Sequence, residues 1–516
     1  MSTMDNKPRP GHYRLSQGVH IVSQEGSTLA VCDYPLRVVR LNPITANVLS
    51  LCSEERTCEQ LAQATNMPVN RVETLCDQLR WKGLLEAGPP LPPLIWPSVS
   101  IVIPSYNRAK ELVRCLRSLF VLDYPVDCLE IVVVDDASTD ETGSILQRLA
   151  QEAATLGQEL RLVHHEKRQG VGISRNSGAE VAQYDLIAYI DSDCVASPGW
   201  LRELVPAFQD TQIGAIGAMI RAYDRNTPLG CYEDVRSSLY MGERSQPVSL
   251  KGPLTYLPTA NMVVRRTVWA KLAGFAPMTQ GEDVDFCRRL LISGASIYYV
   301  PQGVVYHDYR TSLGSFLHIR AAYASAEAAL IKRHPTERRI LLLPLEQAFF
   351  AVALIGGACG ITWLTWRSIW SGFQSMAFAL ALLPLLLAVF LVLFSTYRRL
   401  KKVKEYRSSI KFPIVIKATL RGHLAYTYHL SRHLTRYYTL LLLIVSFFLP
   451  PLFILLLILC GIVIGVDYVR LKPEMDVGRY ALCSLLDDCA YEVGVVWGCL
   501  KHRTWKPLVP VIKAQV

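Results

Sequence analysis

Three acidic clusters in this chain have the residue types and spacing for metal-assisted transfer to a hydroxyl group. In Asp191-Ser192-Asp193, two carboxylates flank one residue directly after an apolar run, Leu186-Ile187-Ala188-Tyr189-Ile190. At a strand end, both can reach a single hard cation. Mg²⁺ and Mn²⁺ prefer such oxygen ligands, and Mg²⁺ sites commonly pair one or two carboxylates with substrate phosphates. Asp135-Asp136 opens a second turn, Asp135-Asp136-Ala137-Ser138-Thr139-Asp140. Ser138 or Thr139 there suits a helix N-cap, but capping does not require two adjacent like charges, which repel unless donors or a ligand offset them. In the third cluster, Gly281-Glu282-Asp283 begins a helix expected over 284–291. The helix dipole favours carboxylates in a first turn. A carboxylate near an acceptor hydroxyl can also take its proton as a general base.

The elements that must position these residues alternate. Continuous apolar strands are expected at 99–104, 129–134, 161–165, 186–190 and 213–217, with helices at 109–120 and 140–151 between them. Such runs predict an α/β domain whose parallel sheet is covered on both faces. Ligands of such sheets bind at the carboxyl ends of the strands, where Ser105-Tyr106-Asn107, Asp135-Asp136 and Asp191 all lie. His307, in Val305-Tyr306-His307-Asp308, follows another strand-like run and is a further candidate ligand for the metal or the phosphates. Asn261, Arg265 and Arg266 are candidates for the acceptor side.

The chain has 516 residues, too many for one core. Hydrophobic residues make up 51% and charged residues 19%, with a mean hydropathy of +0.22. The apolar excess lies after residue 340, with candidate spans at 341–366, 376–394 and 438–466, the last interrupted by Pro450-Pro451. The stretch 422–436, with spaced His, Tyr and Arg, suits a membrane interface. The net charge is +10, much of it in Arg398-Arg399-Leu400-Lys401-Lys402-Val403-Lys404. A basic run directly after an apolar span points to lipid headgroups rather than nucleic acid, and to a cytoplasmic flank. The 14 cysteines are scattered with no Cys-x-x-Cys pair, as expected of reduced thiols without structural zinc. The polar stretch 1–11 does not read as a signal peptide, so the extramembrane part is expected in the cytoplasm against the inner membrane.

The first block, 12–87, reads as three short strands followed by three helices, the pattern of a winged-helix module. Residues 88–97 hold five prolines and form a stiff linker. The α/β domain then covers 98–335, membrane-associated helices 341–470, and a C-terminal segment 471–516.

Four motifs in order resemble the signatures of family-2, GT-A-fold (Rossmann-like) inverting glycosyltransferases. They are Val99-Ser100-Ile101-Val102-Ile103-Pro104-Ser105-Tyr106-Asn107-Arg108, Val132-Val133-Val134-Asp135-Asp136-Ala137-Ser138-Thr139-Asp140, Gly170-Val171-Gly172-Ile173-Ser174-Arg175-Asn176-Ser177-Gly178 and Tyr189-Ile190-Asp191-Ser192-Asp193. The resemblance spans roughly 210 residues. It implies that Pro104, Tyr106 and Asn107 pack around the nucleotide base and that Asp136, with Asp135 beside it, accepts a hydrogen bond from that base. It also implies that Arg175 and Asn176 lie against the ribose-phosphate. Asp193, with Asp191 and His307, would hold Mg²⁺ or Mn²⁺ on the diphosphate, and Asp283, beside Glu282, would be the catalytic base. The Gln-x-x-Arg-Trp motif of processive members is missing: residues 312–323 carry only Arg320.

The first block, especially Leu36-Arg37-Val38-Val39-Arg40-Leu41-Asn42-Pro43-Ile44-Thr45-Ala46, resembles PqqD-like peptide-recognition domains, which bind leader peptides by strand addition. Together with Asp487-Asp488-Cys489-Ala490-Tyr491-Glu492 near the end, the arrangement resembles the glycosyltransferases of mycofactocin systems. That resemblance implies a glucose-nucleotide donor such as UDP-glucose and an acceptor that is a peptide-derived redox cofactor or its precursor peptide. A polyprenyl-phosphate or lipid acceptor is the alternative suggested by the spans. An inactive peptide- and membrane-binding scaffold is an alternative of another kind.

Overall fold

The computed structural model describes residues 11–24, 27–33, 36–88, 96–250, 252–336, 339–371, 375–402 and 412–515. Most of the expected linker (89–95) and the end of the basic run from residue 403 lie outside the described residues, as does the polar stretch 1–10. The chain divides into two compact units. One holds residues 87–316, with 1–11 and 473–475. The other holds 12–86, 317–472 and 476–516.

In the second unit, strands β1 (His12–Leu15), β2 (Val19–Gln24), β3 (Ser27–Asp33) and β4 (Leu36–Leu41) precede helix α1 (Pro43–Leu51), β5 (Arg56–Thr57), helices α2 (Cys58–Thr65) and α3 (Val69–Trp81), and β6 (Leu85–Ala87). β2-β3-β4 form an antiparallel sheet, and β5-β1-β6 a second one. Helix α2 starts with a reciprocal cap: Gln60 N donates to Thr57 Oγ1 at 3.3 Å, and Thr57 N donates to Gln60 Oε1 at 3.1 Å. Val48, Leu49, Leu61, Val72 and Leu79 close the core beneath the sheets.

The first unit is built on one nine-stranded sheet. Its elements run β7 (Val99–Ser105), α4 (Ala109–Phe120), β8 (Leu129–Asp135), α5 (Thr142–Thr155), β9 (Glu159–His164), α6 (Val171–Val181), β10 (Leu186–Ile190), β11 (Cys194–Ala196), α7 (Trp200–Leu204), β12 (Ile213–Ala222), α8 (Pro228–Arg236), β13 (Gln246–Pro247), β14 (Asn261–Arg265), α9 (Arg266–Lys271), α10 (Glu282–Ile292) and β15 (Ser296–His307). The strand order is β11-β15-β12-β14-β10-β7-β8-β9, with β13 on β15. Every residue of β7, β8 and β10 is buried, which is why these segments are mostly apolar; the exceptions inside β7 and β8, Ser100 and Glu130, hydrogen-bond to each other.

The sheet is mixed, not parallel throughout as the runs suggested. β7, β8, β9 and β10 are parallel, but β14 runs antiparallel between β10 and β12. A run of apolar residues records burial on both faces and carries no information on strand direction. Helix α6 lies close on this sheet: a Cβ at Gly178 would come within 2.4 Å of Val102 Cγ1.

Helix α11 (Leu313–Arg333) continues from the first unit into the second, which is completed by β16 (Ile340–Pro344), α12 (Leu345–Ser371), α13 (Ser375–Lys402), α14 (Phe412–Phe448), α15 (Pro451–Leu471), α16 (Val477–His502) and β17 (Val511–Gln515). Three stretches among the described residues are long and apolar enough to cross a membrane: Leu345–Thr365, Leu382–Lys401 and Pro451–Leu471. The third begins inside the stretch 438–466, expected as one kinked helix or a re-entrant hairpin, and that stretch divides between two helices. Its first part belongs to α14, and the Pro450-Pro451 pair starts a new helix, as suits a residue without an N–H to donate. The stretch 422–436 also lies within α14.

Helix α14 is interrupted at Tyr438, whose φ is −139°. Glu492 of α16 accepts hydrogen bonds there from Leu440 N at 2.8 Å and Leu441 N at 3.3 Å, satisfying amides freed by the break. Asp487 and Asp488 pair with Arg436 at 2.8 and 2.9 Å, and Arg432 reaches Asp488 at 2.7 Å. The acidic C-terminal segment is thus a buried ionic brace of the helical unit. Val31 of β3 and Val415 of α14 pack together in the same unit.

Candidate active site

The parallel strands β7, β8 and β10 end at one edge of the sheet, and the three acidic clusters gather there. Asp135 ends β8, and its Oδ1 accepts from Ser138 N at 3.1 Å, closing the turn. Ala137 in this turn takes a φ of +61°. Asn107, also at positive φ, knits the neighbouring turn to it: its Oδ1 accepts from Thr139 N at 2.8 Å, and its N donates to Ser138 Oγ at 2.9 Å. Pro104 is buried and Tyr106 half-buried. The Arg168 guanidinium lies over the Tyr106 ring, 4.1 Å from its centroid.

Asp136 is the anchor of the next loop. Its Oδ1 accepts from Gln169 N at 2.8 Å and meets His165 Nδ1 at 2.8 Å, while Oδ2 accepts from Gly170 N at 2.8 Å. Burial alone would raise its pKa, but the bonds from His165 and the two amides outweigh it and hold the carboxyl below the usual range. His165 passes the link on to Ser177 Oγ through Nε2 at 2.9 Å. The same turn places His164 Nδ1 3.1 Å from Asp135 Oδ2.

Asp191 and Asp193 follow β10. The antiparallel pair β11–β15 then sets Cys194 opposite His307, and so brings His307 to Asp193, with Nε2 3.5 Å from Oδ1. The other ring nitrogen, Nδ1, is buried without a hydrogen-bond partner. Arg108 stands 3.7 Å from Asp193 Oδ2. Ligand atoms of Asp193, Cys194 and His307 lie within 4.8 Å of one another. The Cys194 thiol is fully buried, and burial together with Asp193 and Asp191 pushes its pKa well up; a soft sulfur donor also matches a hard cation poorly. The donors suited to a hard cation are therefore Asp193 and His307, with Asp191 next to them.

Helix α10 presents Glu282 and Asp283 in its first turn. Asp283 Oδ1 accepts from Val284 N at 2.7 Å, and the side chain keeps partial exposure. Burial first, and then the Glu282 charge, push its carboxyl up to about 7. A carboxylate with that value is matched to proton abstraction near neutral pH.

Arg175 and Asn176 are at the site but are not open to it. Arg175 is buried between Glu282 Oε1 and Asp191 Oδ1, both at 2.7 Å. Asn176 binds both backbone groups of Phe275, donating to its O at 2.9 Å and accepting from its N at 2.8 Å. The three residues expected on the acceptor side make the following contacts within the fold. Asn261 is wholly buried and bonds to Trp200 Nε1, Met219 O and Gly303 O. Arg265 donates to Phe208 O, Asp210 O and Ile213 O, and Arg266 to Gln183 O. Arg265 pairs with Leu186 at the opposite end of β10 from Asp191. These polar groups are consumed by the fold, as buried donors must be.

Residues 100–272 match the model of the Glycosyl transferase family 2. The chain carries a family-2 glycosyltransferase domain. Its mixed sheet, with carboxylates at the strand ends, is the GT-A fold, and the chain is a nucleotide-sugar-dependent transferase. The chain is similar to the pre-mycofactocin glycosyltransferase of Mycobacterium tuberculosis (strain ATCC 25618 / H37Rv), at 28% identity over 424 residues, 80% of this chain and 82% of the relative. It is also similar to glycosyltransferase AglE of Haloferax volcanii, at 26% identity over 42% of this chain and 68% of the relative. Among solved structures, the mannosyltransferase PcManGT of Pyrobaculum calidifontis, in complex with GDP-Man and Mn2+, matches 65% of this chain and 89% of its own at 20% identity and a TM-score of 0.39. S. aureus TarS 1-349 matches 44% of this chain and 64% of its own, just under two thirds, at 20% identity and a TM-score of 0.35.

The sequence reading missed Arg108, Arg168, His164 and His165. The two histidines were within reach: β8 and β9 pair in parallel with Asp135 opposite His164, and the paired run of residues ends there in both. Arg108 directly follows the Ser105-Tyr106-Asn107 motif.

Proposed function

We propose that this transferase moves a hexose, glucose, from UDP-glucose to a peptide-derived redox cofactor of the mycofactocin type, at the cytoplasmic face of the membrane. One observation carries the acceptor class. The 424 aligned residues shared with the M. tuberculosis pre-mycofactocin enzyme exceed the transferase domain, so the likeness extends beyond that domain. The N-terminal sheet β2-β3-β4 is the candidate for holding precursor peptide by strand addition, in the PqqD-like manner. The three apolar helices and the basic run that begins at Arg398, at the end of Leu382–Lys401, support attachment to membrane lipids with the transferase domain on the cytoplasmic side.

In this mechanism Tyr106, Pro104 and Asn107 seat the nucleotide base, and the Asp135-Asp136 turn frames its edge. Asp193 and His307, with Asp191, would hold Mg²⁺ or Mn²⁺. The unpartnered His307 Nδ1 and the Asp193 carboxylate 3.5 Å from Nε2 fit such a role. Bound there, the cation would neutralise charge on the diphosphate leaving group. Asp283 takes the proton from the acceptor hydroxyl. The hydroxyl oxygen bonds to the anomeric carbon as the bond from that carbon to the phosphate oxygen breaks. The nucleoside diphosphate leaves with the electron pair, and the sugar configuration inverts.

A lipid acceptor is the second reading, favoured by the three apolar helices. Purified protein in detergent is incubated with labelled UDP-glucose and either the peptide-derived cofactor or a polyprenyl phosphate. Label in the cofactor is the expected result; label only in lipid overturns the acceptor assignment.

A further inference from the structure

Helix α6 carries polar groups that the mechanism above leaves without a task. Three of its residues fix it to the segment leading into α10. Asn176 holds both backbone groups of Phe275. Gly172 lies so close that a Cβ there would meet Ala276 O at 2.9 Å. Arg175 donates through one terminal nitrogen to Glu282 and through the other to Asp191, each at 2.7 Å. Its side chain is 3% exposed, so neither substrate can reach the guanidinium.

We propose that Arg175 is a positioning residue that touches neither substrate: it joins the donor-side carboxylate Asp191 to Glu282 and thereby holds the adjacent base Asp283 in register with the donor. This rests on the reading of Asp283 as the base. A guanidinium is buried at a cost of several kcal/mol per ion unless well-placed partners offset it, and here two carboxylates supply the pairing in bidentate reach of one planar group. The four residues Arg175, Asp191, Glu282 and Asp283 then hold one fixed positive charge against three carboxyl groups. Glu282 and Asp191 oppose ionisation of Asp283, while Arg175 favours it. Arg175 is therefore placed to control both where the base stands and at what pH it works.

The test uses the full chain in detergent, with three variants: Arg175→Gln, Arg175→Lys and Glu282→Gln. UDP affinity in the presence of Mn²⁺ is measured by calorimetry, and kcat and donor KM are measured across pH. For Arg175→Gln, UDP affinity and donor KM are expected within about threefold of wild type, while kcat falls about 100-fold, a general-base-sized loss. The acid limb of the kcat profile moves up by about one pH unit, because a nearby opposite charge is gone. Glu282→Gln removes a like charge and moves that limb down. Arg175→Lys keeps the charge, so its limb stays near wild type with kcat partly restored.

Opposite displacements from Gln at 175 and Gln at 282 are not what general structural damage produces. If UDP affinity falls in proportion to kcat and neither limb moves, Arg175 binds the donor instead and the proposal fails. If Arg175→Gln does not fold, Glu282→Gln and Arg175→Lys decide it by the same signs. Asp283→Asn separates the two levels. Retained turnover in that variant removes the base reading itself, whereas a dead Asp283→Asn beside unmoved limbs in the other variants removes only the role of Arg175.

Discussion

Replacing Asp283 by Asn is the sharpest perturbation of this site, because the amide keeps an oxygen for Val284 N, now bonded at 2.7 Å, and loses only the proton-accepting function. A positioned general base contributes about 10²–10⁴-fold, so kcat for transfer should fall by that factor while UDP binding stays within about twofold. The pH dependence supplies an independent magnitude. With the carboxyl at about 7, about a tenth is ionised at pH 6 and about nine tenths at pH 8, so the wild-type rate should rise about tenfold across that interval. The sign for stability runs the other way. A carboxyl whose folded pKa lies above its unfolded value stabilises the fold at low pH and loses that contribution as pH rises through 7. Asp283→Asn should therefore melt at or above the wild-type temperature at pH 8. The assay is transfer from labelled UDP-glucose at pH 6–8, with a thermal melt of the same samples. Undiminished turnover in the variant refutes the base assignment, and a flat wild-type rate between pH 6 and 8 refutes the match between burial and function.

Asp193→Ala should weaken Mn²⁺-dependent UDP binding by at least about tenfold; calorimetry giving equal affinity would remove Asp193 from the metal set. His307→Ala should act in the same direction and raise the Mn²⁺ concentration needed for half-maximal UDP binding, and an unchanged Mn²⁺ titration would return His307 to a packing role. Asp136 is held low by His165 and the Gln169 and Gly170 amides against the effect of burial, so its contribution is full above its unfolded pKa and fades as pH falls through its folded value. Asp136→Asn should accordingly flatten the fall in melting temperature between about pH 5 and pH 3, and an unaltered slope there would exclude it as the source. Gly178→Ala places a Cβ 2.4 Å from Val102 Cγ1 and should cost about 1–3 kcal/mol through overpacking, read as a lowered melting temperature; an unchanged melt would mean that α6 is free to shift off β7.

The strands that carry the site were legible because they are buried on both faces. Val99–Ser105 and Leu129–Asp135 are apolar almost throughout, and no other arrangement hides such runs. The acidic clusters were legible for a related reason: a charged pair immediately after such a run has to emerge at a strand end. What the runs did not encode was direction. Met262-Val263-Val264 is a short apolar run between Asn261 and Arg265, yet β14 inserts antiparallel between β10 and β12. That reversal puts Arg265 at the far end from Asp191 and gives it three backbone carbonyls to bind. The pairing of Asp193 with His307 was only half visible, since a register between β11 and β15 joins residues more than a hundred positions apart.

Arg175 and Asn176 illustrate the remaining gap. Their motif was recognisable, but recognition supplied a role facing the substrate, and the structure turns both side chains inward. The physical distinction is where a polar group's partners come from. A substrate-facing group must keep a valence open to solvent, whereas both amide atoms of Asn176 are taken by Phe275 and the Arg175 guanidinium, only 3% exposed, is enclosed between Asp191 and Glu282. Closing those valences gives α6 a different use. Phe275 leads into the turn before α10, and Glu282 precedes the base, so the helix following the Gly170 amide that binds Asp136 also fixes the approach to Asp283. One element therefore connects the Asp135-Asp136 turn, the end of β10 and the proposed base Asp283. A small displacement of α6 would be felt at all three, which is why residues here can govern turnover without contacting either substrate.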